Sequence, residues 1–356
     1  MVTVMLSQRN NENKAITIYD IAKEAGVSPS TVSRVLTNSA NVRKEKKEKV
    51  QALIEKYNFK PNALAKGLAD TRTRTIGVLA ADIRNPYYAA LFVAIEKAAR
   101  QTEYTVLLCN SLGVTDTEKE LLGKLQEQRV DAIIQLGGRV DDLISNEEYV
   151  ELINQVMAAT PVVVTGKLDG TRCNVVRIDS MQAMELLMEH LLMLGHTRIA
   201  LIGGRKDVLA TFEKLQRYKQ ILKEQMIPYD PQLVADDTGY DFESGYQAMN
   251  EMLEKGVIPT AVIAINDFAA MGIMKSLSEH HMRIPQDVSL VSYDNTYMAE
   301  MTIPRLTSID YNYDEFGRKL VDTAVSLIEN KKASKVRMVN PTIVVRESSG
   351  KAPETK

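Results

Sequence analysis

Tryptophan is absent from the 356 residues, cysteine occurs twice and histidine four times. Cys109 and Cys173 each lie in an apolar stretch, which suits buried free thiols of a reducing compartment better than a disulfide framework. His190, His196, His280 and His281 show no HExxH or other metal-ligand spacing. There is no GxSxG elbow, Gly203-Gly204 is a lone turn, not a phosphate loop, and His196 in Leu194-Gly-His-Thr-Arg198 is read as a turn residue. No catalytic residue, metal or cofactor is therefore expected. No apolar run approaches the roughly 20 residues that span a bilayer, and Met1 to Lys14 is polar, so the expectation is a cytoplasmic protein without a membrane partner.

What is present is unevenly distributed. The net charge of −2 conceals a basic start: residues 1–75 hold 14 Lys/Arg against 7 Asp/Glu, and the remainder holds 30 against 39. A basic module on an acidic body suits phosphate binding, since neutralising phosphates releases condensed counterions. A solvated helix face explains part of the run from Arg43 to Lys49. The length exceeds what one core usually holds, so a small domain and a large one are expected.

Residues 1–14 lack apolar periodicity and read as a tail. Thr17 with Asp20 resembles a capping box ahead of Ile18, Ile21, Ala22 and Ala25, and Gly26 stops that helix. Ser28 can cap a second helix with Pro29 at its first position, and Val32, Val35 and Leu36 form its buried stripe. Val50, Leu53, Ile54 and Tyr57 write a third helix. The helix-turn-helix domain is thus placed at 15–60, and 61–75 is a linker in which Asn62 can cap a brief helix to Ala69. From Ile76, short β runs alternate with helical patterns: Ile76 to Ala81, Val106 to Cys109, Ala132 to Leu136 and Val162 to Thr165, then Ile199 to Ile202, Val262 to Ile265 and Ser289 to Ser292. Buried parallel strands with helices on both faces predict an α/β domain of two doubly wound parallel sheets at 76–347, with 348–356 a second tail.

Within the helix-turn-helix the apolar positions build the fold and the hydroxyls and Arg34 face outward, and Tyr19 is counted among the residues that contact DNA. The second helix of such a motif enters the major groove by its N-terminal residues, which puts Pro29 and Ser30 at base edges. Ser28, Thr31 and Ser33 suit phosphate oxygens at the groove walls. Arg34 can fork onto guanine or clamp a phosphate.

These residues resemble the lactose-repressor (LacI) family of bacterial regulators, through Val27-Ser-Pro-Ser-Thr-Val-Ser-Arg-Val35 and a likeness running from Ile16 to about Glu347. Further matches are Asp82-Ile-Arg-Asn-Pro-Tyr-Tyr88, Leu194 to Gly204, Asn266-Asp267, Tyr293-Asp-Asn-Thr296 and Pro304 to Ile309. The resemblance implies an operator-binding homodimer, a repressor of a pseudo-palindromic site. It also implies a hinge helix at 61–68, with Asn62, Ala65 and Leu68 reaching DNA and Leu68 wedging a base step. The body is similar to periplasmic sugar-binding proteins. Crossing strands are then placed near Val175 to Ile178, Thr307 to Ile309 and Val336 to Pro341, which gives lobe 1 as 76–175 with 309–336 and lobe 2 as 178–307 with 341–347.

In such a cleft the carboxyl ends of strands point at a ligand. The resemblance places Asp82, Tyr87, Tyr88, Lys214, Tyr240, Asn266 and Asp294 there. A carboxylate and an amide suit the hydroxyls of a carbohydrate, and a tyrosine face can cover its C–H surface, although plain packing is the alternative for the tyrosines. Two departures stand out. Lys214 and Arg217 replace an arginine and a glycine usual in sugar- and purine-responsive members, and Asp179-Ser-Met-Gln-Ala183 replaces a usual Asp-Asn-x-x-Gly. Lysine lacks the planar fork of arginine, and a similar lysine occurs in the family's catabolite regulators, which respond to a phosphorylated carrier protein. A sugar in the cleft and a carrier protein both stand as signals.

Overall fold

Capping residues and apolar spacing account for the first three helices of the computed structural model, which describes residues 16–36, 42–59 and 72–354. The chain divides into two compact units, Met1–Thr73 and Arg74–Lys356. In the first, α1 (Ile18–Ala25) opens on the expected capping box: the Asp20 N–H donates to Thr17 Oγ1 at 3.3 Å and the Thr17 N–H to Asp20 Oδ2 at 2.8 Å. Gly26 ends it at φ +66°, a conformation glycine adopts without penalty. α2 (Pro29–Leu36) and α3 (Lys44–Lys56) close the unit over Ile21, Ala22, Val32, Val35 and Val50. Glu24 on α1 accepts from Lys56 Nζ at 2.8 Å and from Tyr57 Oη at 2.7 Å, which ties the first helix to the third. The tail 1–14 and most of the hinge, with Asn62, Ala65 and Leu68, lie outside the described residues.

The second unit holds two six-stranded sheets. The first is ordered β11-β5-β4-β3-β1-β2 and is parallel throughout: β1 (Thr75–Ala80), β2 (Thr105–Asn110), β3 (Ala132–Leu136), β4 (Val162–Val164), β5 (Asn174–Ile178) and β11 (Val336–Val339). Its strands alternate sides. Ile76 and Val78 face α4 (Pro86–Ala99) and α12 (Tyr313–Ile328), whereas Leu79 and Ile133 face α5 (Thr115–Glu127) and α6 (Glu147–Met157). The second sheet is ordered β12-β10-β9-β8-β6-β7, from β6 (Ile199–Ile202), β7 (Val234–Ala235), β8 (Ala261–Ala264), β9 (Ser289–Asp294), β10 (Thr307–Asp310) and β12 (Thr342–Val344). Here β12 pairs antiparallel to β10, the exception to the expected parallel order. α7 (Ser180–Met193) and α8 (Leu209–Glu224) cover one face, and α9 (Phe242–Glu254) and α10 (Asp267–Glu279) the other. α11 (Tyr297–Met301) precedes β10.

The chain passes between lobes at 178–180, 310–313 and 339–342, so β5 runs to Ile178 and β11 to Val339 within lobe 1. Tyr87, Ile178 and Tyr313 pack against the cores of both lobes. Residues 348–352, expected as tail, belong to lobe 2. Ser348 is fully buried and donates to the Leu290 carbonyl at 2.5 Å, and the Ala352 N–H reaches the Leu194 carbonyl at 2.9 Å. His196, read as a turn residue, is the fully buried node of this closure: its ring meets Thr260 and Ser289 hydroxyls at 3.1 Å and the Gly350 carbonyl at 3.0 Å. Cys109 and Cys173 are free thiols. Among the described residues no helix is long and apolar enough to cross a membrane.

Candidate DNA-reading helix and effector cleft

The N-terminus of α2 presents a compact hydroxyl array. Ser28 Oγ lies 2.8 Å from Ser30 Oγ and 2.9 Å from Thr31 Oγ1, and it accepts the Thr31 N–H at 3.3 Å. Ser28 therefore serves first as the helix cap, the role its sequence position foretold. Ser30 and Arg34 are exposed, Pro29, Thr31 and Ser33 are partly so, and Tyr19 on α1 is exposed. The apolar half of the helix is spent inward, on Val32 and Val35. That division leaves the polar face available to a ligand of the helix end, where backbone amides and the dipole attract phosphate.

Between the lobes of the second unit lies a cleft of about 720 Å³, and all seven cleft residues named from the sequence line it: Asp82, Tyr87 and Tyr88 from lobe 1, and Lys214, Tyr240, Asn266 and Asp294 from lobe 2. They reach it because the loops leave the carboxyl ends of the parallel strands, as at Asp82 after β1 and Asn266 after β8. Their availability differs. Asp82 is gripped by Arg84, with Nε to Oδ1 at 3.0 Å and Nη2 to Oδ2 at 2.7 Å, and this partner holds its carboxyl below the usual range. Asn266 caps α10 by accepting the Ala269 N–H at 2.8 Å, and its Nδ2 donates to the Tyr240 carbonyl at 2.9 Å. Its amide is thus committed within the protein. Tyr240 Oη meets Thr211 Oγ1 at 2.7 Å. Tyr88 settles over Gly137, where a Cβ would fall 2.2 Å from the phenol oxygen.

Asp294 ends β9 at φ +97° and is nearly buried. Burial, reinforced by the charge of Asp267, pushes its carboxyl up, and Lys214 and a Tyr311 hydrogen bond oppose that shift. Lys214, also nearly buried, holds Nζ 3.7 Å above the Tyr293 ring, and desolvation lowers its affinity for a proton. The neighbouring Asp267 is structural: it accepts from Ser292 Oγ at 2.6 Å, Ser308 Oγ at 2.7 Å and the Thr296 N–H at 2.6 Å.

Sequence reasoning missed Asp141, Arg177, Arg205 and Tyr311, which also line the cleft. The signal for two was present, since Arg205 follows β6 and Asp141 follows the glycine turn after β3. Asp141 is desolvated among like charges, Asp142 and Glu118, and its carboxyl is pushed up to about 7. Arg177 on β5 pairs with Glu213 on α8 across the lobes. The Leu143 N–H also donates to the Asp207 carbonyl at 2.7 Å, and Asp142 and Val208 pair as an antiparallel bridge. These contacts join the two lobes.

Comparison with known proteins was decisive for the lineage. The family model of bacterial regulatory proteins, lacI family, matches residues 17–62, and that of the periplasmic binding protein-like domain matches 188–349. Catabolite control protein A of Staphylococcus epidermidis is 37% identical over 297 residues, which is 83% of this chain and 87% of that protein. The chain belongs to the lacI family. As such it is a DNA-binding transcriptional regulator, and its first unit is the family's helix-turn-helix. The lac repressor dimer bound to operator and an anti-inducer superposes with a TM-score of 0.82 at 28% identity, covering 95% of this regulator and 100% of that chain. The transcriptional regulator CelR in its cellobiose complex gives 0.69 at 26% identity, with 94% and 99% covered.

Proposed function

We propose that this regulator is a cytoplasmic, operator-binding homodimeric repressor that acts by binding alone, with its DNA affinity set by a small polyhydroxylated ligand held between the two lobes. The observation that carries the reading is the convergence of strand ends from both lobes on one cleft of about 720 Å³. Such a volume suits a small ligand, and convergent polar groups within it fix orientation. Asp294 is the acceptor offered to hydroxyls, and Tyr87, Tyr88 and Tyr240 supply ring surface. In the DNA-binding unit, Pro29 and Ser30 take base edges, Ser28, Thr31, Ser33 and Tyr19 take the backbone, and Arg34 takes either. Asn62, Ala65 and Leu68 extend the contact through the hinge, and residues 76–347 receive the signal. Operator recovered by selection from random duplexes, followed by retention assays with and without a panel of sugars, tests the reading. At least one sugar is expected to change operator retention tenfold or more, and Asp294→Ala to remove that response with basal retention intact.

A second reading has an observation of its own. The 37% identity to catabolite control protein A covers 83% of the chain, and Lys214 replaces the arginine expected for a sugar fork. On this reading a phosphorylated carrier protein bound to the body sets operator affinity. Heat of binding with the carrier and with no sugar decides for it.

A further inference from the structure

Charge on the cleft wall is unevenly settled. Every arginine there already has an acidic partner: Arg84 with Asp82 at 2.7 Å, Arg139 with Asp142 at 3.0 Å, Arg205 with Asp207 at 2.6 Å, and Arg177 with Glu213. Lys214 lies on the Tyr293 ring and has Asp294 and Glu213 as charged neighbours. Asp141 is different. Among the described residues no cation forms an ion pair with it, and Asp142 and Glu118 beside it repeat its own sign. The opposing charge that reaches it, Arg177, is already engaged by Glu213. Gly166 lets the 140–141 segment approach closely, for a Cβ there would fall 2.0 Å from the Val140 carbonyl oxygen and 2.5 Å from Asp141 Oδ1.

Tyrosines from both lobes line the same cleft as Asp141. Tyr87 and Tyr88 meet edge to face with centroids 5.0 Å apart, and both feel the charge of Asp141, as does Tyr240 from the opposite lobe. Asp141 and these three tyrosines line one cleft and keep part of their surface toward it. A ring face is negative at its centre and attracts a cation, and a partly desolvated carboxylate without an ion-pair partner gains from a counter-charge. An anionic group entering this cleft meets the reverse: arginines whose forks are taken and a surplus of carboxylates. The wall is built for a positive charge that the chain itself does not supply.

Resting on the cleft being a ligand site, we propose that the ligand carries a protonated amine held by Asp141 in the cleft that Tyr87, Tyr88 and Tyr240 also line. The chemical class that joins such an amine to hydroxyls for Asp294 is an amino sugar. Phosphorylated sugars are selected against.

Calorimetry on the full chain with D-glucosamine, D-galactosamine and D-mannosamine, each beside its N-acetylated form, its unsubstituted parent sugar and the parent's 6-phosphate, tests this. One amine is expected to bind at least tenfold more tightly than its own N-acetylated and parent counterparts, which differ at the nitrogen or lack it. Asp141→Asn is expected to reduce that amine to the affinity of its parent sugar, and an unchanged melting temperature or a higher one shows that the variant is folded. A parent sugar or phosphate that binds as tightly as the amine overturns the amine proposal and leaves the cleft reading standing. An amine preference that survives Asp141→Asn overturns the assigned position. Absence of heat from every sugar, with heat from a phosphorylated carrier protein, overturns the cleft reading together with the proposal.

Discussion

Asp141 carries a stability cost that pH reveals. Its carboxyl titrates near 7 in the folded chain against an ordinary value of 3.8, because it is desolvated beside Asp142 and Glu118, with Arg177 only partly offsetting them. The folded state therefore keeps a proton that the unfolded state releases. The associated stability is intact below pH 3.8 and is lost progressively as pH rises through 7. Asp141→Asn removes the loss, so the variant's advantage over wild type is expected to grow from pH 5 to pH 8 and reach about 2 kcal/mol, after allowance for the solvent that reaches the carboxyl. Melting temperatures of both proteins across that range check it, and a gap that stays flat with pH speaks against the desolvated carboxylate. On α2, the proposed roles of Ser30 at base edges and Thr31 at phosphates separate two kinds of contact. Substituting Ser30 is expected to change which operator is preferred, whereas Thr31→Ala weakens all sequences alike. Selection of bound duplexes with each variant measures this, and identical shifts in both would move the helix register. Single residues were legible in the sequence only in part. Asp294 could be placed at the cleft because strand ends point there, and Tyr88 by the family resemblance, but no pattern told that Asn266 spends its amide on a helix cap and the Tyr240 carbonyl. Asp141 went unread because an acidic pair after two glycines looks like an ordinary surface turn.

Elements were easier to read than residues. Strands such as β3 and β8 are buried on both faces, so they stand out as unbroken apolar runs of the length a parallel sheet needs. β11 alternates exposure, and β12 has only three residues and pairs antiparallel, so neither gave a comparable signal. Residues 348–352 were missed for a different reason. Their attachment rests on hydroxyl and backbone hydrogen bonds to Thr307, Leu290 and Leu194, and Ser-Ser-Gly reads locally as a loop. The link between β5 and α8 was likewise invisible, since Arg177 and Glu213 belong to different lobes. Both side chains are about one-fifth exposed, so removing one partner strands the other in a poorly solvated place. Arg177→Met and Glu213→Gln are each expected to cost about 1–2 kcal/mol, and the double variant less than the sum. Denaturant unfolding of the four proteins gives the coupling, and strictly additive losses would show that the pair does not act across the cleft.

At the scale of the molecule, charge and connectivity assign separate tasks to the two units. The basic first 75 residues contrast with an acidic remainder. Operator affinity is accordingly expected to fall steeply with salt, by about 0.9 in log K per unit of log salt for each phosphate neutralised. A slope near zero would contradict phosphate contact by the basic module. Signal transfer places a stricter demand on the whole chain. A ligand can shift DNA affinity only by binding one arrangement of the protein better than another, and equal affinity for both moves nothing. The cleft provides a place for that difference, because groups from both lobes meet the same volume and are already bridged by Arg177 with Glu213 and by the backbone pairing at Leu143 and Asp207. Thermodynamic linkage then fixes the outcome: if a ligand changes operator affinity by some factor, operator must change that ligand's affinity by the same factor and in the same direction. Couplings of this kind are worth about 1–3 kcal/mol, or roughly 5- to 150-fold. Ligand titrations of the free protein and of the operator complex, set beside operator titrations with and without saturating ligand, measure both sides of the cycle. Equal factors are expected, and Lys214→Met is expected to change both by the same amount. A factor of one on both sides would show that cleft occupancy and operator binding are not coupled in this molecule.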